Sequence, residues 1–173
     1  MFKKKFSWNI INFVTVILLY YFSFSEIDTH FENYFEILSF NLQLIIIYYW
    51  MLKDQSILSN GHIFFAGIIN DVVSGLPLGV SALSYLSVSF VAMYVKNVTV
   101  NITLFTDWFT FIIAVFFSNL IFLILIYNFT ELSVTYTEIF YNSFFTLLFY
   151  PIFWLIFNIF RLITGMKNYD YFH

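Results

Sequence analysis

Long apolar segments constrain the fold of this chain more than any other feature of its sequence. A soluble domain cannot bury a succession of such segments, whereas a transmembrane helix needs about 20 predominantly apolar residues. Only 10% of the residues are charged, compared with about 25% in an average soluble protein. The sequence therefore predicts an all-α integral membrane protein, a bundle of six transmembrane helices in one domain over residues 1–173. The predicted membrane-spanning segments are residues 6–24, 37–52, 61–75, 79–95, 108–127 and 139–163.

The first apolar segment follows three lysines, a pattern that also begins a secretory signal peptide. The segment is longer than the apolar region of a typical signal peptide, and no small-x-small cleavage site follows it. We therefore expect residues 6–24 to remain in the protein as its first membrane helix.

The distribution of charge predicts how the helices are oriented. If the N-terminus is cytoplasmic and the chain crosses the membrane six times, every Lys and Arg lies on the cytoplasmic side. The acidic segments 25–36 and 128–138 then lie outside, as the positive-inside rule favours. This predicts a multi-pass protein with both termini in the cytoplasm. A re-entrant hairpin of residues 61–75 and 79–95 is the alternative, because the third segment is short, but it misplaces some basic residues.

The third segment has one small, polar face. At 100° per residue, Gly67, Asn70, Asp71 and Gly75 lie on one half of the helix, opposite bulky apolar residues. Small residues let membrane helices approach each other closely. The fourth segment also has small and polar residues on one side, namely Ser81, Ser84, Tyr85, Ser89 and Ala92. We therefore expect the two faces to pack together.

The turn between these segments contains Pro77 and Gly79. Proline cannot donate a backbone hydrogen bond, and glycine tolerates unusual backbone dihedrals. The turn therefore ends one helix and begins the next, which predicts an antiparallel helical hairpin whose turn lies at the outer surface.

Asp71 admits two interpretations at this position. As a structural residue it is solvated near the outer helix end, or it is hydrogen-bonded to Ser or Tyr on the neighbouring helix. As a functional residue it contacts an ion, a proton or a partner protein. An acid at the bilayer centre costs roughly 2.5–3.5 kcal/mol, and less near the surface. The structural or partner-packing role is favoured.

The sequence lacks the residue patterns of common active sites. There is no cysteine, no glycine-rich phosphate loop and no serine nucleophile motif. His30 and His62 fall on opposite sides of the membrane in the predicted topology, and His173 lies in the C-terminal tail. We therefore expect no enzymatic activity, no metal and no cofactor.

The segment Gly67–Gly79 (GIINDVVSGLPLG) resembles the signature of the MreD family of bacterial rod shape-determining proteins. That family shows a glycine, an acid four residues later, and a Gly-x-Pro-x-Gly turn between two membrane helices. The chain length, the cytoplasmic N-terminus and the Tyr49–Trp50 pair that ends the second segment are also similar. The loop at residues 53–60 (KDQSILSN) lacks the proline that the family pattern leads us to expect.

The resemblance implies a non-enzymatic subunit of the cell-elongation machinery in the bacterial inner membrane. Such a subunit binds MreC and helps to couple the MreB cytoskeleton to the peptidoglycan synthases RodA and a class B penicillin-binding protein. The fold it implies is similar to the substrate-binding subunits of energy-coupling-factor vitamin transporters. The partners expected are these proteins and membrane lipid, with no nucleic acid. The residues expected to pack the hairpin or contact a partner are Gly67, Asn70, Asp71, Gly75, Pro77 and Gly79.

The alternative function is a solute-binding membrane subunit of a vitamin-type transporter. It predicts a ligand cavity that opens outward and is lined by aromatic and polar groups, such as those of residues 25–36. Because aromatic residues make up 25% of the chain, composition does not discriminate between the two functions.

Overall fold

The protein is all-helical over the part of the chain that the computed structural model describes, residues 2–25, 40–99, 103–129 and 136–163. Side chains are described from Ile11 onward, so His30, His173, the Lys3–Lys5 side chains and the loops at residues 26–39 and 130–135 lie outside the described part. The all-α prediction is confirmed for the described ranges, which contain no strand. The helices are α1 (Phe2–Phe24), α2 (Leu42–Lys53), α3 (Asn60–Val73), α4 (Val80–Val98), α5 (Leu104–Phe129) and α6 (Tyr136–Ile163).

Two of the helices, α5 and α6, are long and apolar enough to cross a membrane. They have 26 and 28 residues, or about 39 and 42 Å at 1.5 Å per residue, which exceeds the ~30 Å hydrocarbon core. Helices α2 and α3 have 12 and 14 residues, or about 18 and 21 Å. Because these two are shorter than the hydrocarbon core, six complete crossings stay a prediction.

Helix α2 forms the centre of the bundle. It is apolar on all sides and packs against α1, α4, α5 and α6, as expected for a helix that is hydrophobic all round. Its aromatic residues join the other helices. Tyr48 contacts Phe111 and Tyr150, whose rings stack 4.3 Å apart, and Tyr49 packs against Phe157. The hydrophobic core therefore lies around α2.

The connection between α2 and α3 lies against the middle of α1. The Gln43 side chain donates to the Phe22 carbonyl, so α2 begins beside the end of α1 and runs antiparallel to it. Val16, in the middle of α1, lines a pocket together with Ile57 of the connection, and at the start of α3 the Tyr20 hydroxyl lies 3.0 Å from Nδ1 of His62. The chain therefore turns back beside α1, and α2 and α3 on either side of this connection have only 12 and 14 residues.

The two ends of the bundle differ in chemistry. Lys53, Lys96 and Arg161 lie near the carboxyl ends of α2, α4 and α6, and the Lys96 ammonium donates to the Lys53 carbonyl over 3.4 Å. We call this the basic end. The opposite end carries the turn between α3 and α4 and the start of α6; the start of α2 lies deeper, where the Asn41 amide donates to Oγ1 of Thr146, the eleventh residue of α6, over 2.8 Å. We call this opposite end the turn end.

Candidate functional site

The turn between α3 and α4 has a defined helix-ending geometry. Helix α3 ends at Val73, and Gly75 follows with a φ of 65°. The Leu76 amide donates to the Asp71 carbonyl over 2.9 Å. A left-handed glycine with this bond to a carbonyl five residues earlier is the Schellman motif, which pairs the carbonyl groups that a helix end leaves free.

Asp71 caps the next helix from within α3. Its side chain is fully buried, Oδ2 accepts from the Gly79 amide over 2.7 Å, and Oδ1 accepts from the Ser81 amide over 2.7 Å. The first amide groups of a helix have no partner inside the helix. Gly79 precedes α4 and has no side chain with which to cap it. The Asp71 carboxylate therefore supplies the acceptors, in a position that the helix dipole also favours.

Gly67 lies where the backbones of α3 and α4 touch. A Cβ atom at this position would lie 2.3 Å from the Cα and 2.5 Å from the amide nitrogen of Ala82. Real Cβ atoms do not approach backbone atoms this closely, so only glycine fits here without moving a helix. The absence of a side chain lets the two helices meet backbone to backbone, as small residues do in membrane bundles.

Gly75 has a different role from the one that the helical wheel predicts. The wheel extends the small face of α3 to this residue, but α3 ends at Val73, and a Cβ at Gly75 would meet nothing within 4 Å. Its positive φ, and not close packing, accounts for the glycine. Gly79 is similar, with a φ of 105° and an open Cβ position. Both glycines serve the turn.

Asn70 and Pro77 complete the hairpin. The Asn70 side-chain nitrogen donates to Ser81 Oγ over 3.0 Å, and the Pro77 carbonyl accepts from the Val80 backbone amide over 3.3 Å. At the other end of the seam, Ser89 Oγ donates to Asn60 Oδ1 over 2.9 Å. The α4 residues that the sequence predicts for this seam are all buried: Ser81, Ser84, Tyr85, Ser89 and Ala92.

A charged cluster at the basic end was not predicted from the sequence, in which Lys53 directly follows the second apolar segment and Asp107 directly precedes the fifth. The Lys53 ammonium lies 3.0 Å from Asp107 Oδ2, and the two side chains are 5% and 1% exposed. The indole nitrogen of Trp154 donates to the same oxygen over 2.8 Å, and the Lys53 ammonium lies 5.9 Å from the centre of the Trp154 ring. We call Lys53, Asp107 and Trp154 the basic-end cluster.

The basic-end cluster joins three helices, because its members come from α2, α5 and α6. Asp107 lies in the first turn of α5, where the helix dipole favours a negative charge. One pattern in the sequence indicates this pairing. A basic residue lies at the end of one apolar segment, and an acidic residue lies at the start of another, on the same predicted side of the membrane. Ionisable groups at such a depth are rare and usually paired.

The polar residues of α6 lie at different levels of the helix and do not form one site. Asn142 lies at the turn end, Asn158 is half-buried and Arg161 is buried at the basic end. Pro151 lies inside α6 without ending it. The helix therefore contributes to both ends of the bundle.

A polar cavity of about 450 Å³ lies at the turn end, beside the hairpin. Of residues 25–36, which the transporter hypothesis places around a ligand, all but Ser25 lie outside the described part of the chain. The described lining comes from α2, α3, the turn, α4, α5 and α6: Asn41, Leu44, Asn70, Ser74, Leu76, Ser81, Ser84, Tyr85, Ser118, Asn119, Phe122, Glu138, Ile139 and Asn142.

Comparisons of the chain with protein-family models, with curated proteins and with solved structures give no match. The resemblance to the MreD family therefore rests on residues 67–79 and on the general features of the chain.

Removal of the Asp71 carboxylate is expected to destabilise the hairpin. In Asp71→Ala the two amides at the start of α4 lose their acceptors, which costs about 1–3 kcal/mol for a buried group left unsatisfied. Asp71→Asn keeps one acceptor and loses less. Thermal unfolding of the purified protein measures both. Val72→Ala is the matched control, because Val72 is the next residue and its side chain is 65% exposed. Equal stability of Asp71→Ala and Val72→Ala would contradict the capping role.

Proposed function

We propose that this chain is a non-enzymatic scaffold subunit of the bacterial cell-elongation machinery, located in the inner membrane. In this role it binds MreC and helps to couple the MreB cytoskeleton to RodA and a class B penicillin-binding protein. The observation that carries the proposal is the hairpin, because the residues that resemble the MreD signature form one continuous structural unit. Gly67 is the point of helix contact, Asp71 caps α4, and Gly75 and Gly79 form the turn.

The surroundings of Asp71 favour a supporting role over a chemical one. The side chain is fully buried, and each carboxylate oxygen accepts a backbone amide hydrogen over 2.7 Å. A general base must reach the proton it removes, and a buried carboxylate that is already bonded on both oxygens is poorly placed for that. A rigid corner between two helices is instead what a scaffold requires to present a fixed surface to its partners.

Co-purification with MreC tests the proposed function. The chain and the MreC protein encoded by the same genome are co-expressed, solubilised and captured through a tag on MreC. We expect the chain to be retained, and an unrelated single-span membrane protein with the same tag to retain none. A folded, monodisperse chain that MreC does not retain would contradict the proposal. Neighbouring genes give an independent test, since a gene for a single-span coiled-coil protein upstream favours the scaffold.

The second candidate function, a solute-binding subunit of a transporter, is favoured by one observation, the polar cavity at the turn end. Its volume of about 450 Å³ falls within the range of roughly 300–1,000 Å³ that is typical of small-molecule sites. A neighbouring gene for an ATPase, and co-purification with that ATPase in place of MreC, would favour this function over the scaffold.

A further inference from the structure

We propose that the cavity at the turn end binds a small, neutral, polar solute that carries several hydroxyl or amide groups, of the kind found in sugars and amino sugars. The inference does not depend on the scaffold function, because it rests on the lining of the cavity and not on the hairpin motif. The cavity lies at the opposite end of the bundle from the basic-end cluster.

The lining is unusually rich in neutral hydrogen-bonding groups. Four carboxamides and four serine hydroxyls face a single cavity: Asn41, Asn70, Asn119, Asn142, Ser74, Ser81, Ser84 and Ser118. A carboxamide both donates and accepts hydrogen bonds, and so does a hydroxyl. Small-molecule pockets are more often lined by apolar side chains with a few polar groups. This lining therefore matches a solute whose surface is itself made of alternating donors and acceptors.

Two of the lining carboxamides use their side-chain nitrogen in a hydrogen bond within the protein. The Asn70 side-chain nitrogen donates to Ser81 Oγ over 3.0 Å, and the Asn119 side-chain nitrogen donates to Ser143 Oγ over 2.6 Å. Across the four described ranges, neither side-chain oxygen accepts a hydrogen bond from another protein group. Both side chains are half-buried and line the cavity. These oxygens are placed to accept from the hydroxyl or amide groups of a bound solute.

The described lining of the cavity offers an anionic solute no cation. Within the described lining there is no Lys, Arg or His, and the one ionisable carboxylate is that of Glu138, which is exposed. A phosphate or carboxylate bound here would lose water without gaining a cation, and the cost of burying an unpaired charge is large. Both oxygens of the Asp71 carboxylate accept amides of the hairpin, and a carboxylate gives an anion no attraction. An exposed carboxylate such as Glu138 is largely screened by water and holds a cation only weakly, so the proposed solute is neutral.

The same lining disfavours a lipid tail. An acyl chain in this cavity would cover the side-chain oxygens of Asn70 and Asn119 without donating a hydrogen bond to them, and each buried polar group left unpaired costs about 1–3 kcal/mol. The apolar side chains of the lining, which include Leu44, Phe122 and Ile139, can pack against the carbon face of a sugar ring.

Thermal unfolding of the full chain in lipid nanodiscs tests the proposal, and nanodiscs avoid sugar-based detergents. The probe is N-acetylglucosamine at millimolar concentration, because it carries several hydroxyls and one neutral amide. A solute that binds the native state raises Tm as its concentration rises. We expect a rise of about 2–4 °C, which saturates with concentration. Glucose 6-phosphate, the anionic comparison, is expected to give no rise.

Asn119→Leu removes one carboxamide at nearly constant volume and is expected to abolish the rise. Asn128→Leu is the matched control on the same helix, because Asn128 is exposed and is not part of the lining. It is expected to retain the full rise. No rise with N-acetylglucosamine, glucose or inositol in the wild-type protein would overturn the proposal, as would an equal rise with glucose 6-phosphate or an unchanged rise in Asn119→Leu.

The comparison of neutral and anionic probes on the wild-type protein decides the matter even if Asn119→Leu does not fold. Failure here is distinguishable from failure of the scaffold function, because co-purification with MreC is measured without any added solute.

Discussion

Replacement of Gly67 by leucine is expected to separate α3 from α4 and to disrupt the hairpin. The first atom of any side chain at this position would lie 2.3 Å from the Ala82 Cα and 2.5 Å from its amide nitrogen. Because the atoms it meets are backbone atoms, no change of side-chain rotamer relieves the clash, and a helix must move. Overpacking of a well-packed core costs about 1–3 kcal/mol and sometimes more. We expect Gly67→Leu to reach at least about 3 kcal/mol, with Gly67→Ala already clearly destabilised.

Gly61 provides the matched control for this prediction, because it lies in the same helix with its Cβ position open. The nearest atom to a Cβ there is Ser59 Oγ at 3.7 Å, an ordinary contact. Alanine also has a better helix propensity than glycine by roughly 1 kcal/mol. Gly61→Ala should therefore be as stable as the wild-type protein or slightly more so. Thermal unfolding compares the two alanine variants, and the leucine variant is also tested for retention by MreC. Equal stability of Gly67→Ala and Gly61→Ala would refute the close approach of the two helices.

Features that depend on neighbouring residues could be predicted from the sequence. The order of the helices follows from apolar segments, and the hairpin follows from a small face, a proline and glycines within residues 66–79. Gly67 could be assigned to helix packing because its spacing from Asp71 places both on one face. The role of Gly75 could not be separated from packing in the same way. That distinction depends on whether the helix continues through Ser74, and a helical wheel assumes that it does.

Features that depend on how helices are arranged around one another could not be predicted. A hydropathy pattern gives the depth of a residue in the bundle, but it does not show which helix the side chain faces. Lys53 and Asp107 have the same predicted depth, yet their pairing requires α2 and α5 to be neighbours. The cavity at the turn end could not be predicted for the same reason, because five helices contribute to its lining. The short lengths of α2 and α3 follow from the α2–α3 connection packing against α1, which is again a tertiary contact.

The basic-end cluster is expected to be the most costly polar site to break by a single substitution. In Asp107→Leu the Lys53 ammonium loses its ion pair, although the Lys53 side chain is only 5% exposed. In Lys53→Met the Asp107 carboxylate loses the same ion pair, although the Asp107 side chain is only 1% exposed. Removing one partner of a buried ion pair costs about 3–5 kcal/mol, whereas replacing both by apolar groups is often neutral. We therefore expect each single variant to lose about 3–5 kcal/mol, and the double variant to be more stable than either single one.

A double-mutant cycle on these two residues measures the coupling through thermal or denaturant unfolding. The double variant should lose less than the sum of the single variants by at least about 3 kcal/mol, which is the upper end of the coupling energies found for residues in contact. Asp54→Asn is the control, because Asp54 follows Lys53 directly and its carboxylate accepts from Ser56 within the connection. This variant should stay within about 0.5 kcal/mol of the wild-type protein, as surface substitutions usually do. Additive single variants would show that Lys53 and Asp107 do not stabilise each other, and the three helices would then be held together by their other contacts, which include the Trp154–Asp107 hydrogen bond and the apolar core around α2.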